Sequence, residues 1–439
     1  MPITPSPKPA SPSEIKRVAL LFAGGPAPAA NAVISAAAAS FLRNGIEPIG
    51  IKHGYSALAD FCPEKRPLTK GEDYVVMTES ILKRSRNSQG IMIGTARTNP
   101  GKFVSHPSHF QDKEKCAPLK RAYEALCSLE VDALVSIGGD DTLKTANKMK
   151  MYQDALPAGS RRIRVVHVPK TIDNDYHGID FTFGYFTAVD FMAREIRNLL
   201  YDAEAGRAYF LVESMGRSAG WLAYGAAMAG EASLVISVED IVDEFADEEV
   251  VIRDGKEVTR MIMNMDKVVS RILDTMLVRE QQGKEYGVIV LAEGLAEYLP
   301  EKYLEGIPRD DHGHISIADV NLGRILSKHI AKSYKNLPAG TRKRSERKVN
   351  GVQLGYETRC SQPTAFDVML GSQLGVGAYR ALVEEKKDGV MVSIVNQLAL
   401  RYERFEDLVD QSNLVTKVRY IDLDSDFHKL ARFLETYVK

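Results

Sequence analysis

Residues 135–149 read VSIGGDDTLKTANKM: a strand-like apolar run that ends in two glycines and two adjacent aspartates. Glycines at a strand end let backbone N–H groups come close to an anion, and the helical pattern that follows turns its positive end toward the same point. Asp140 suits Mg²⁺, which takes one or two carboxylates and completes its shell with water and phosphate oxygens. Asp141, beside it, would repel a phosphate. The pair raises the question of which ligand is admitted there and which refused.

Other turns carry compatible chemistry. PKTIDND (169–175) sets Asp173 in a polar turn, where a carboxylate can take a proton from a substrate hydroxyl if held within hydrogen-bond reach. Lys170 offers a point positive charge to a phosphoryl group. The competing reading has Asp173 or Asn174 capping the next helix. FAGGPAPAAN (22–31) is a glycine turn before a helix, and it matches neither the dinucleotide fingerprint nor the Walker loop. ESMGR (213–217) and LGYETRCSQP (354–363) place Arg217 and Arg359 just past glycine turns, suited to two-pronged capture of a phosphate or to a surface ion pair. LAEG (291–294) adds Glu293, able to accept hydrogen bonds from sugar hydroxyls.

The elements that must position these residues follow one rhythm. Apolar runs at RVALLFAGG (17–25), VDALVSIGG (131–139), IRVVHVPK (163–170), AYFLVESMGR (208–217), ASLVIS (232–237) and YGVIVLAEG (286–294) end in Gly- or Asp-bearing turns. Helical patterns follow, near Asn31, over 142–152, over 186–200 and through Ala229. Strand, turn and helix in alternation predict right-handed crossovers, parallel sheets and an α/β fold, with ligands outside the carboxyl ends of the strands. A further helix is expected over 317–333, and the basic run RKRSERK (342–348) reads as a solvated face.

The chain has 439 residues, 44% hydrophobic and 26% charged, with formal net charge −1. That balance gives no global field for nucleic acid or an anionic membrane, so phosphate binding must come from local geometry. The length is enough for two or three compact units. Four cysteines (Cys62, Cys116, Cys127, Cys360) form no CxxC pair and no zinc spacing, which predicts buried or inert thiols in a reducing compartment. The opening MPITPSPKPASPSE is expected to be a disordered lead-in rather than a signal peptide. No apolar run is long enough to span a bilayer, and a cytoplasmic location is expected.

Taken in order, the glycine turn at 22–31, GTAR (94–97), GGD, TIDND, MGR, EG and LGYETR resemble the phosphofructokinase family from about residue 17 to 392. The resemblance implies two similar Rossmann-like lobes with mainly parallel sheets, facing across an active-site cleft, and subunits that associate as homodimers or homotetramers. Expected boundaries are the lead-in at 1–14, a donor lobe at 15–168, a sugar-phosphate lobe at 169–358 with an insertion near 297–347, and a returning segment at 359–439. It implies a donor site at Gly25, Arg97, Gly139, Asp140 and Lys170, with Mg²⁺ on Asp140. Thr171, Ile172 and Asp173 match the family's catalytic turn, Asp173 being the base on the sugar 1-hydroxyl. Met215, Gly216, Arg217, Glu293, Tyr356, Glu357, Thr358 and Arg359 match sugar-phosphate positions. Tyr356 stands where ATP-dependent members usually carry histidine. The arginines that such members lend from a neighbouring subunit have no counterpart assigned here. Ala208 or Tyr209 and Asn350 stand near those places, and Arg207, Arg347 and Lys348 lie close by.

Two departures bear on the opening question. ATP-using members generally carry glycine where Asp141 and Lys170 stand, so GGDD with PKTIDND resembles the pyrophosphate-dependent branch. Two unit charges at about 4 Å repel by roughly 4 kcal/mol at an effective dielectric near 20, which would turn an α-phosphate away. The reading implied is transfer from Mg-pyrophosphate to fructose 6-phosphate, with Lys170 and Asp141 completing the catalytic set. It leaves open a larger acceptor such as sedoheptulose 7-phosphate, an ATP-dependent enzyme, and a regulatory subunit that senses sugar phosphate.

Overall fold

The computed structural model describes residues 14–253, 255–309 and 315–438. The expected lead-in lies outside them apart from Glu14, as do residues 310–314 of the expected insertion. Along the chain run strands β1 (Arg17–Ala23), β2 (Glu47–Ile51), β3 (Tyr74–Val76), β4 (Ala133–Gly138), β5 (Arg164–Pro169), β6 (Tyr209–Ser214), β7 (Leu234–Ile236), β8 (Ala246–Arg253), β9 (Lys256–Met263), β10 (Gly287–Ala292), β11 (Val349–Leu354), β12 (Val390–Val395) and β13 (Ala399–Arg404). They fall into two compact units.

The first unit takes the chain through Ile172, then Tyr176–Thr187 and Arg359–Lys417. Its sheet has the order β13-β12-β5-β4-β1-β2-β3, parallel except for the antiparallel edge strands β3 and β13. Every residue of β4 is buried, as expected of a central parallel strand covered on both faces. Register is what matters for chemistry: Ala23 pairs with Gly138, and Gly138 with Pro169. The turns after β1, β4 and β5 therefore leave the sheet side by side. Helices Ala30–Arg43 and Ala365–Tyr379 pack closely, because Gly371 and Gly375 leave no side chain between them. A Cβ at Gly375 would lie 2.4 Å from the carbonyl oxygen of Val33.

The second unit comprises Asp173–Asp175, Ala188–Thr358 and Val418–Lys439. Its sheet, β11-β6-β10-β7, is wholly parallel, with Leu354 opposite Ser214 and Ser214 opposite Ala292. The hairpin β8–β9 stands apart as its own two-stranded sheet. Both units are α/β on mainly parallel sheets, the class expected, although the two sheets differ in size.

Three local expectations change. The helix expected over 317–333 is a short 3₁₀ turn, Ile317–Asp319, followed by a helix Leu322–Asn336, because Asn321 caps the latter by accepting from the Arg324 N–H. The basic run is not a uniformly solvated face: the Arg347 side chain is fully buried, paired with Glu280 and, at 3.2 Å, with Glu285, while Tyr334 donates to Glu280 at 2.8 Å. Burial of the thiols holds fully only for Cys116; Cys360 is exposed, and all four cysteines are free. No helix among the described residues is long and apolar enough to cross a membrane.

Candidate active site

In the first unit, the three neighbouring turns enclose a cavity of about 300 Å³ lined by Gly24, Gly25, Arg97, Gly139, Asp140, Asp141 and Lys170, among others. Gly24 has φ +91°, a conformation that favours glycine, and its N–H donates to the Ala96 carbonyl at 2.9 Å. Lys170 is buried, and its ammonium lies over both glycine turns. A Cβ placed on Gly24 would be 3.7 Å from Lys170 Nζ, and one on Gly139 would be 3.6 Å from it. The Lys170 N–H continues the strand pairing by donating to Gly138 at 2.9 Å. Arg97 is exposed at the rim. A Cβ on Gly25 would lie 3.8 Å from the guanidinium carbon of Arg359, so Arg359, expected among the sugar-phosphate residues, lies instead beside Gly25, a residue expected at the donor site.

Asp140 and Asp141 open the helix Asp140–Asp154 and stand at the cavity mouth, 54% and 76% exposed. Lys144 Nζ lies 2.9 Å from one oxygen of each. Loss of surrounding water raises the Asp140 pKa against the pull of Lys144. Lys148, further along the helix, is buried and donates to the Gly101 carbonyl at 3.0 Å; burial, then Lys144, lowers its pKa to about 8. Asp141 is thus neither isolated nor buried. Its repulsion of a phosphate is weaker than two bare charges would give. No group of three or more His, Cys, Asp or Glu side chains among the described residues forms a ready cage for a metal. Two carboxylates at a cavity mouth nonetheless fit Mg²⁺, whose other ligands are usually water and substrate phosphate.

Thr171 and Ile172 are buried at the end of this unit, the Thr171 carbonyl accepting from the Thr182 hydroxyl at 2.8 Å.

In the second unit, adjacent strands β11, β6 and β10 deliver three turns to one sheet edge. Gly216 has φ +123°, and its N–H donates to Glu293 Oε1 at 3.1 Å. Approach is close enough to demand glycine at Gly355, where a Cβ would lie 1.8 Å from Met215 Cγ, and at Gly294, where it would lie 2.2 Å from the Arg217 carbonyl oxygen. Arg217 pairs with Glu297 at 2.7 Å. Tyr356 is exposed. Glu357 accepts from the Gly355 N–H at 3.0 Å, and buried Thr358 donates its hydroxyl to the Gly355 carbonyl at 2.6 Å. The latter two brace the turn that presents Tyr356.

The turn Asp173–Asp175 also belongs to this unit. Asp173 is partly buried, and Asn174 adopts φ +57°. The next helix begins only at Tyr185, so neither residue caps it. The turn is tied down by Arg419, which the sequence did not single out. Its N–H donates to the Asp175 carbonyl at 2.8 Å and its guanidinium to the Asn174 carbonyl at 2.7 Å. The same guanidinium lies 4.4 Å from the Trp221 ring centre, while the indole N–H donates to the Arg419 carbonyl at 2.8 Å. The one available signal was that Trp221 is the chain's single tryptophan.

The model of one family, described as Phosphofructokinase, matches residues 17–382. The chain belongs to the phosphofructokinase family. Among its relatives within and around that family, the pyrophosphate–fructose 6-phosphate 1-phosphotransferase of Thermotoga maritima is 32% identical over 429 residues, covering 95% of this chain and 90% of that protein. A protein of the same name from Naegleria fowleri is 31% identical, covering 96% and 88%. An ATP-dependent 6-phosphofructokinase of Corynebacterium efficiens is 29% identical, covering 94% and 99%. The crystal structure of a pyrophosphate-dependent phosphofructokinase from Nitrosospira multiformis superposes with a TM-score of 0.64 at 15% identity, covering 97% of this chain and 93% of that one. This likeness supports the phosphofructokinase fold.

Proposed function

We propose that this phosphofructokinase catalyses reversible transfer of a phosphoryl group from Mg-pyrophosphate to the 1-hydroxyl of fructose 6-phosphate, giving fructose 1,6-bisphosphate and phosphate. The observation that carries the choice of donor is the presence of Asp141 and Lys170 together at a cavity of about 300 Å³. A buried ammonium above two glycine turns suits the dense charge of pyrophosphate, and a carboxylate at the mouth disfavours a longer polyphosphate ester.

In this reading Asp173 takes the proton of the 1-hydroxyl as that oxygen bonds to phosphorus. The bond from the same phosphorus to the bridging oxygen breaks, and phosphate leaves. Lys170, Thr171 and the turn amides of Gly25 and Gly139 stabilise charge on the transferring oxygens. Asp140, with Asp141 beside it, would hold Mg²⁺, which when bound neutralises donor charge. Arg217 takes the sugar phosphate, and Glu293 and Tyr356 orient the sugar, with Met215 and Gly216 shaping the floor; Arg359, beside Gly25, meets the phosphate being transferred instead. Assembly as a homodimer or homotetramer and action in the cytoplasm belong to the same proposal.

The test is the initial rate with fructose 6-phosphate and Mg²⁺, pyrophosphate against ATP as donor, with sedoheptulose 7-phosphate as second acceptor. Turnover with pyrophosphate alone is expected. Turnover with ATP alone would overturn the donor and leave the acceptor chemistry standing.

A further inference from the structure

One ammonium holds both aspartates of the donor turn, and the roles above leave it unused. Lys144 Nζ lies 2.9 Å from Asp140 Oδ2 and 2.9 Å from Asp141 Oδ1. The spacing is helical: Lys144 is four residues after Asp140 and three after Asp141, so all three share one face. Its side chain is more enclosed than either carboxylate, which holds the ammonium between the two. The other Asp140 oxygen, Oδ1, accepts the Thr416 hydroxyl. Lys148 adds positive charge to the same field from farther along the helix, but its ammonium is committed to the Gly101 carbonyl rather than to either carboxylate.

The two carboxylates make opposite demands on Lys144. A divalent cation that takes Asp140 must compete with it for Oδ2. An arriving phosphate, by contrast, meets Asp141 with its charge partly offset by the shared ammonium. We propose that Lys144 is the specificity-determining counter-ion of the donor site: it makes the second aspartate tolerable to pyrophosphate while weakening the free protein's hold on a divalent cation. The pyrophosphate half of this inference rests on the proposed function; the cation half does not.

The two halves predict shifts of opposite sign. In the full chain, Lys144→Met should bind Mn²⁺ about three- to tenfold more tightly, read without donor from the electron paramagnetic resonance of free Mn²⁺, while KM for pyrophosphate rises by a similar factor. Lys144→Arg keeps the charge and should stay near the parent in both. Adding Asp141→Asn to Lys144→Met should bring KM for pyrophosphate back down. A lysine that merely supports the helix would, when lost, weaken both or change neither, and either result overturns the proposal. Should Lys144→Met fail to fold, Lys144→Gln carries the same comparison. Should the parent use only ATP, the proposed function falls, and unchanged Mn²⁺ affinity in the variant would then overturn the counter-ion role as well.

Discussion

The imidazole Nε2 of His167 lies 3.2 Å from the hydroxyl of Tyr176, which itself reaches the carbonyl of Gly138 at 3.2 Å. A buried pair thus braces the strand end from which the aspartate turn departs. Burial pushes the His167 pKa down to about 3. The unfolded chain would take up this proton near pH 6.5, whereas the folded one resists it until about pH 3. The stability contributed by the neutral ring is therefore complete above pH 6.5 and is lost as pH falls toward 3, by about 1.4 kcal/mol per unit. Urea unfolding at pH 7 and pH 5 should show the parent losing more stability than His167→Gln. Equal losses would mean that this ring is not what sets the acid limit.

Asp173→Asn should lower kcat by about 10²- to 10⁴-fold, the range for removal of a general base, while KM for fructose 6-phosphate stays within about threefold. Steady-state kinetics with pyrophosphate decide it. Near-normal kcat would take the base role away from Asp173.

Arg419→Met removes the guanidinium that donates to the Asn174 carbonyl. Loosening the turn that presents Asp173 should cost about ten- to a hundredfold in kcat with a smaller change in KM. Trp221→Leu, which takes away the surface the guanidinium rests on, should shift kcat in the same direction and by less. Full activity in Arg419→Met would show that the turn holds its shape without this tie.

The parts of the fold legible in the sequence are those where an apolar run stops at a glycine or an aspartate. β1, β4, β5, β6 and β10 were all readable that way, and so were the turns on which the proposed donor and sugar residues sit. β2 and β3 are short, and β2 carries Pro48. β8 runs from a block of acids into only three apolar residues in an exposed hairpin, and β13 mixes charged with apolar residues at a sheet edge, so no long apolar run marks them. Arg347 lies in a run of charge whose neighbours are exposed, and only tertiary packing reveals that its side chain is buried. Arg419 meets Asn174 across 245 residues, a contact that no local pattern encodes. Lys144 is the intermediate case. Its spacing from Asp140 and Asp141 is the ordinary helical i,i+4 and i,i+3 pattern, yet nothing in the spacing says that one ammonium serves both.

That double pairing limits the exclusion of ATP proposed for Asp141. Asp141 is mostly exposed and shares Lys144, so Asp141→Gly alone should improve ATP affinity by no more than about fivefold, the scale of a solvated charge interaction. Lys170 is different, since it is buried and its ammonium lies within van der Waals reach of positions over both glycine turns. Removing it clears space as well as charge. Asp141→Gly with Lys170→Gly should therefore bind ATP far more tightly than either single variant, and KM for pyrophosphate should rise at the same time because the donor loses its buried cation. Equilibrium binding of ATP to the parent, both single variants and the double variant measures this directly. If the double variant gains no more than Asp141→Gly alone, Lys170 plays no part in refusing ATP. If neither variant gains at all, exclusion of ATP does not reside in these two residues.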